Sequence, residues 1–234
     1  MNIGMIIAGG SGHRMKQEIP KQFINVNDKP IIIYTLEAFQ NHPDISEIGV
    51  VCIDEWQGVL KAYARQYHID KLKWIANGGE NGQSSIRNGV MEAEKRYSPD
   101  DVILIHDAIR PMVSSEIISD CIIQCNKHGS AISVLPCNTA VLHKDNDEWS
   151  ENVIIRDELA LTQTPQAFKI KTIADAHREA LEKGITNSVA SCTLMIELGK
   201  KVYFSIGSET NIKLTTPDDL LIFKALLSLK SKDK

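Results

Sequence analysis

Short apolar runs that stop abruptly at glycine or at charged residues recur along this chain, with helically spaced stretches between them. Ile3 to Ile7, Ile48 to Ile53, Val102 to Ile105 and Ala131 to Leu135 read as buried strands, with a further short one at Lys73 to Ala76. Asp28-Lys29-Pro30 predicts a helix start with Asp28 as cap, and Ile31, Ile32, Tyr34, Thr35, Leu36 and Phe39 follow at helical spacing. Trp56, Val59, Leu60, Tyr63 and Tyr67 form the stripe of a second helix, Ile86, Val90 and Ala93 that of a third, and Ser114 to Cys125 a fourth. In "TTPDDLLIF" Thr216 caps a last helix, with Pro217 at its first position and Asp218 and Asp219 in its first turn. Strand and helix in alternation imply parallel βαβ units. The expected class is therefore α/β, a doubly wound and mostly parallel sheet with helices on both faces.

A chain of 234 residues suits one such domain. The stretch from Asn138 to Phe168 breaks the rhythm with polar alternation around Asp145-Asn146-Asp147, and predicts a β-arm projecting from the sheet. The last residues, "KSKDK", read as a frayed tail. A net charge of −4 argues against broad nucleic-acid binding and leaves room for a small local anion site. The five cysteines include no CxxC pair, and Cys121 and Cys125 sit four apart in a helical segment without matching ligands. Reduced, buried thiols in a cytoplasmic protein are the expectation. No signal peptide and no apolar stretch near ~20 residues is seen, so neither export nor a membrane partner is predicted.

The first strand runs into "IIAGGSGHRM", Ile6 to Met15. In an open α/β sheet ligands sit beyond the carboxyl ends of the strands. Gly9, Gly10 and Gly12 allow main-chain amides to close round an anion such as a phosphate. Arg14 adds a planar fork, and Lys21 in "PKQF" a mobile point charge. A dinucleotide fingerprint counted from Gly10 would need glycine where Met15 stands, and a P-loop would need GK[ST] where the chain has Arg14-Met15-Lys16.

Five segments keep the same order along nearly the whole chain: "AGGSGHRM" with "PKQF", "GGENGQSS", "HDAIRP", "RDELALTQTPQAF" and "NIKLTTPDDL". Together they resemble the family of cytidylyltransferases that act on sugar-alcohol phosphates. Its two best-known branches use 2-C-methyl-D-erythritol 4-phosphate and ribitol 5-phosphate. The resemblance implies a nucleotidyltransferase α/β fold, a homodimer joined through the arms, and a need for Mg²⁺. The implied reaction joins CTP and a polyol phosphate into a CDP-polyol and pyrophosphate. 2-C-methyl-D-erythritol 4-phosphate, hence isoprenoid precursor synthesis, is the first expectation for the polyol, and ribitol 5-phosphate the alternative. The substrate phosphate is already a nucleophile, so catalysis reduces to aligning two polyanions and neutralising charge at the α-phosphorus.

By the same resemblance Arg14, Lys21 and Lys213 are the catalytic residues, holding the triphosphate and its transition state. The nucleotide is implied to lie against Ala8, Gly9, Gly10, Gly12, Gly79, Glu80, Ser85, Asp107 and Ala108, with Gly78 nearby. Asp107, at the end of an apolar strand, is implied to bind Mg²⁺, as a hard cation held by a carboxylate and phosphate oxygens would be. The second substrate is implied to meet Arg110, Thr139, Arg156 and Thr164. Arg110 either reaches its phosphate or braces the loop, and His106 is expected to be structural.

The chain also departs from the pattern. Where methylerythritol enzymes carry "TDEAS" and ribitol enzymes "SDAC", it reads "TNSVASCTLMIELG". Asn138-Thr139 replaces the usual "DT" at the start of the arm. These changes fall near ribose and polyol, so they bear on which polyol is used and leave the triphosphate site intact. An NAD-dependent oxidoreductase and a non-catalytic nucleotide-binding protein are the alternatives of other classes.

Overall fold

The computed structural model describes residues 1–10 and 19–230. Arg14 and Gly12 lie outside them, as does the tail from 231 to 234. The strands are β1 (Asn2–Ala8), β2 (Asn25–Val26), β3 (Lys29–Pro30), β4 (Glu47–Cys52), β5 (Leu72–Asn77), β6 (Val102–Asp107), β7 (Ser130–Pro136), β8 (Val141–His143), β9 (Asn152–Ile154), β10 (Ala160–Lys169) and β11 (Phe204–Ile206). The helices are α1 (Ile31–Gln40), α2 (Gln57–Gln66), α3 (Gly82–Glu94), α4 (Ser115–His128), α5 (Ile170–Glu182), α6 (Ser191–Glu197) and α7 (Pro217–Lys230).

Seven strands form one sheet in the order β11-β7-β10-β6-β1-β4-β5. Every neighbouring pair is parallel except those of β10, which runs antiparallel to both β6 and β7. The inner strands β1, β4 and β6 are buried on both faces, which is why they read as continuous apolar runs. Ile48, Val50, Val102 and Leu104 pack with α1, α2 and α4 on one face. Their alternates Met5, Val51, Ile103 and Ile105 pack with α3, α5 and α6 on the other. Phe39 and Phe168 are fully buried, one in each layer, and burial of each such side chain contributes about 2–3 kcal/mol.

Two expectations need correction. Asp28 does not cap α1. Asn27 and Asp28 adopt left-handed backbone, φ 49° and 60°, as the tight turn of the small β2–β3 hairpin, and Pro30 occupies the cap position. The projecting arm is also shorter than the stretch 138–168. Its hairpin consists of β8 and β9, paired from Val141 opposite Ile154 to His143 opposite Asn152. Residues 160–168 instead enter the main sheet as β10. A proline in that stretch argues against an inner strand. The sheet accommodates Pro165 because the register against β7 shifts between Thr162 and Gln166, so residues 163–165 pair with neither neighbour.

Thr216 caps α7 as expected, its Oγ1 accepting from the Asp219 amide at 3.3 Å. Among the described residues no helix is long and apolar enough to cross a membrane.

Candidate active site

The carboxyl ends of β1, β4 and β6 open into a cleft of about 600 Å³. It is lined by the ends of those strands, by the loop after β5 and by the segment that precedes α7. Ala8, Gly9, Gly10, Lys21, Gly79, Glu80, Ser85, Asp107 and Lys213, distant in sequence, all meet there.

On one wall β1 ends in Gly9 and Gly10. The buried Gln22 fixes that end, its Nε2 donating to the carbonyls of Ala8 at 2.7 Å and Gly10 at 3.2 Å. Gly9 passes so close to α3 that a Cβ there would lie 2.9 Å from Ser85 Oγ, so this approach requires glycine. Ser85 Oγ in turn accepts from the Gly79 amide at 2.9 Å. Asn81 and Ser84 close a capping box at the start of α3, with reciprocal bonds of 2.8 and 2.9 Å. The positive end of α3 thus faces the cleft, where negative charge is favoured.

The opposite wall carries the charge. Asp107 ends β6, with Lys213 Nζ 3.1 Å from its Oδ1 and Arg110 Nε 3.0 Å from its Oδ2. Burial alone would raise the Asp107 pKa, but attraction to Lys213 and Arg110 outweighs it and holds the carboxyl below its usual range. Arg110 also donates to the Asn211 carbonyl at 2.7 Å, so it braces the loop. Lys21 is almost wholly buried and donates to the Thr215 carbonyl at 2.8 Å.

His106 lies behind this wall, fully buried. Burial pushes its pKa down to about 4, so the ring is neutral at neutral pH. Its Nε2 lies 3.1 Å from the Arg110 carbonyl, which only accepts, so Nε2 carries the proton. Nδ1 therefore accepts from Thr164 Oγ1 at 3.0 Å, and the same hydroxyl accepts from the Asp107 amide at 3.1 Å. Both ring nitrogens of His106 are thus engaged within the protein. His106 orients Thr164, and Thr164 orients Asp107.

The cleft therefore offers a helix N-terminus, two lysines and two carboxylates, of which Asp107 is held ionised by its cationic neighbours. Such a set binds polyphosphate and neutralises charge at phosphorus. The family model described as 2-C-methyl-D-erythritol 4-phosphate cytidylyltransferase matches residues 3–229. The chain belongs to this cytidylyltransferase family.

Among relatives, a ribitol-5-phosphate cytidylyltransferase of Lacticaseibacillus paracasei is 43% identical over 232 residues, covering 98% of this chain and 99% of that protein. A 2-C-methyl-D-erythritol 4-phosphate cytidylyltransferase of Clostridium botulinum is 38% identical over 228 residues, covering 97% of each. The solved 4-diphosphocytidyl-2C-methyl-D-erythritol synthase of Anaerococcus prevotii superposes with a TM-score of 0.82 at 26% identity, covering 97% of this chain and 96% of that one.

For a cytidylyltransferase the remaining residues fall into two groups. Ala108 is buried behind the cleft, where its carbonyl accepts from Thr35 Oγ1 at 2.9 Å, and Thr164 is spent on His106 and Asp107. Thr139 and Arg156 are exposed at the base of the arm and do not line the cleft of this single chain. Arg156 there donates to the Asn138 carbonyl at 3.4 Å and lies 3.5 Å from Asp157.

Gln22, Asn81 and Thr215 also line the cleft and were not anticipated. Each adjoins a residue that was: Gln22 follows Lys21 in "PKQF", Asn81 follows Glu80 in "GGENGQSS", and Thr215 stands two after Lys213 in "NIKLTTP".

Proposed function

We propose that this cytidylyltransferase couples CTP to ribitol 5-phosphate, giving CDP-ribitol and pyrophosphate. The observation that carries this choice of polyol is the order of the relatives. Proteins named ribitol-5-phosphate cytidylyltransferase match at 43%, 40% and 39% identity, ahead of those named for methylerythritol phosphate at 38%. The family model and the solved relatives favour 2-C-methyl-D-erythritol 4-phosphate as the second reading.

A phosphate oxygen of the polyol phosphate attacks the α-phosphorus of CTP. The bond from that phosphorus to the bridging oxygen of the β-phosphate breaks, and pyrophosphate leaves. The nucleophile is already ionised, so no side chain need remove a proton. Lys213, Lys21 and Arg14 hold the triphosphate and stabilise charge that grows at the α-phosphorus, each contributing about 3 kcal/mol by analogy with oxyanion donors. The loop after β5 and the first turn of α3, from Gly78 to Ser85, receive cytosine and ribose. Asp107, kept ionised by its cationic neighbours, suits a hard divalent cation shared with phosphate oxygens. Mg²⁺ is the cation proposed, and it would supply charge neutralisation.

The arm is proposed to join two copies into a homodimer, bringing Thr139 and Arg156 to the polyol phosphate. Exposed apolar side chains on the arm support this, with Leu142 at 63% and Val153 at 73% exposure. A cytoplasmic setting fits the five free, buried cysteines.

The test is pyrophosphate release with Mg²⁺ and CTP against ribitol 5-phosphate, 2-C-methyl-D-erythritol 4-phosphate and glycerol phosphates. Ribitol 5-phosphate is expected to give the highest kcat/KM. A higher value with methylerythritol phosphate would overturn this choice and establish the second reading.

A further inference from the structure

The segment that carries Lys213 has no strand or helix of its own beside the cleft. It lies between β11 and α7, and Lys213 itself is substantially exposed. Something other than the sheet ladder must aim it. Asn211, two residues earlier, is fully buried, and the bonds of three segments converge on it. Its Nδ2 donates to the Thr164 carbonyl at 2.8 Å and to Gln163 Oε1 at 3.3 Å. Its own carbonyl accepts from Arg110 Nη1 at 2.7 Å and from Gln163 Nε2 at 3.4 Å. Gln163 also grips the preceding turn, donating to the Ser208 carbonyl at 3.0 Å and accepting from the Ser208 amide at 3.1 Å.

The resulting ring is closed. Asp107 pairs with Arg110, Arg110 bonds Asn211, and two residues on Lys213 returns to Asp107. Thr164 closes it from behind through the Asp107 amide. Gln163 and Thr164 are free for this because the register shift takes residues 163–165 out of the ladder. Asn211 Oδ1 is buried without a hydrogen-bond partner among the described residues. The amide is thus committed to its two donors, a role that neither aspartate nor serine can fill.

We propose that Asn211, clamped by Gln163, is a positioning residue for cytidylyl transfer, setting where Lys213 stands relative to the α-phosphate. It acts through Lys213 and touches no substrate. The role rests on the phosphate-binding assignment of Lys213.

The test is a double-mutant cycle on the full-length enzyme, using the polyol phosphate that turns over best. Asn211→Ala is expected to lower kcat by about 10–100-fold, as sub-ångström misplacement of a charge-stabilising group does, with KM for CTP changed by less than about 3-fold. Placed on Lys213→Ala, it should cost less than about 3-fold more, because coupled residues are not additive. Gln163→Ala, a milder cut in the same clamp, should repeat the pattern with a smaller loss. It carries the test if Asn211→Ala does not fold. An equal loss on both backgrounds would overturn the positioning role and leave Lys213 catalytic. Full activity in Lys213→Ala would overturn both.

Discussion

The cleft and the arm are built on opposite principles. Asp107 on the cleft wall is held by several elements at once. Asp107 is fixed by Arg110 and Lys213 through its carboxylate and by Thr164 through its amide. The arm is held almost entirely by its own residues. Two three-residue strands pair with each other, and the tip is closed by Asx contacts in which Asn146 Oδ1 accepts from the amides of Glu148 and Trp149 at 2.8 and 3.1 Å. A two-stranded hairpin of this length is marginal by itself. Support is concentrated where the proposed reaction needs pre-positioned charge. Of the four residues implied for the second substrate, Arg110 and Thr164 belong to the cleft wall, whereas Thr139 and Arg156 sit at the base of the arm, the part with the least support.

The largest effect should come from breaking the cleft. Lys213→Ala is expected to lower kcat by about 10²–10³-fold, the cost of removing one charge-stabilising donor, in a pyrophosphate-release assay. The melting temperature should move little, since a half-exposed ion pair contributes about 0–1 kcal/mol and Arg110 still pairs with Asp107. A variant that melts early in proportion to its lost activity would show that the wall, not the charge, had been removed.

Acid should separate the two regions next. Burial pushes both His106 and His177 from the ordinary 6.5 down to about 4. Between those values the unfolded chain binds a proton that the folded chain refuses. Stability is therefore full above about pH 6.5 and is lost as pH falls toward 4, by on the order of 3 kcal/mol per histidine. Neither ring nitrogen of His177 has a hydrogen-bond partner among the described residues. His177→Leu should accordingly flatten the slope of unfolding free energy between pH 7 and 5 in urea titrations, at little cost at pH 7. An unchanged slope would mean that His177 is not refusing a proton.

The smallest effect on stability should come from the arm. Leu142→Asp with Val153→Asp alters two exposed side chains and should leave the unfolding free energy within about 0.5 kcal/mol. Analytical ultracentrifugation is expected to show loss of the dimer. KM for the polyol phosphate should rise while affinity for CTP stays unchanged. Unaltered sedimentation would remove the arm from the subunit contact.

Much of the cleft was legible in the sequence because its parts are local signals. Gly9 and Gly10 follow a buried strand and Asp107 ends one, whereas Lys213 was reached only through the resemblance of "NIKLTTP" to the family's segment. Gln163 and Asn211 carried no such signal. Gln163 fell within the predicted β-arm and Asn211 drew no reading of its own, and only their meeting, 48 positions apart, gives them a role. Asp28 misled for a related reason. The same residue type that caps a helix also tolerates the left-handed backbone of a tight turn, and the pairing of β2 with β3 decided between them.

Periodicity and punctuation in the sequence by themselves determined the α/β class, the two helical layers and the end of the sheet at which the cleft opens, because each is signalled within a few residues. Tertiary structure alone decided that residues 160–168 turn back from the arm to run antiparallel between β6 and β7. Pro165 lowers the strand propensity of that stretch, and what places it there is burial of Phe168 and Ala167 on opposite faces of the sheet. That burial is a long-range gain which no local pattern records.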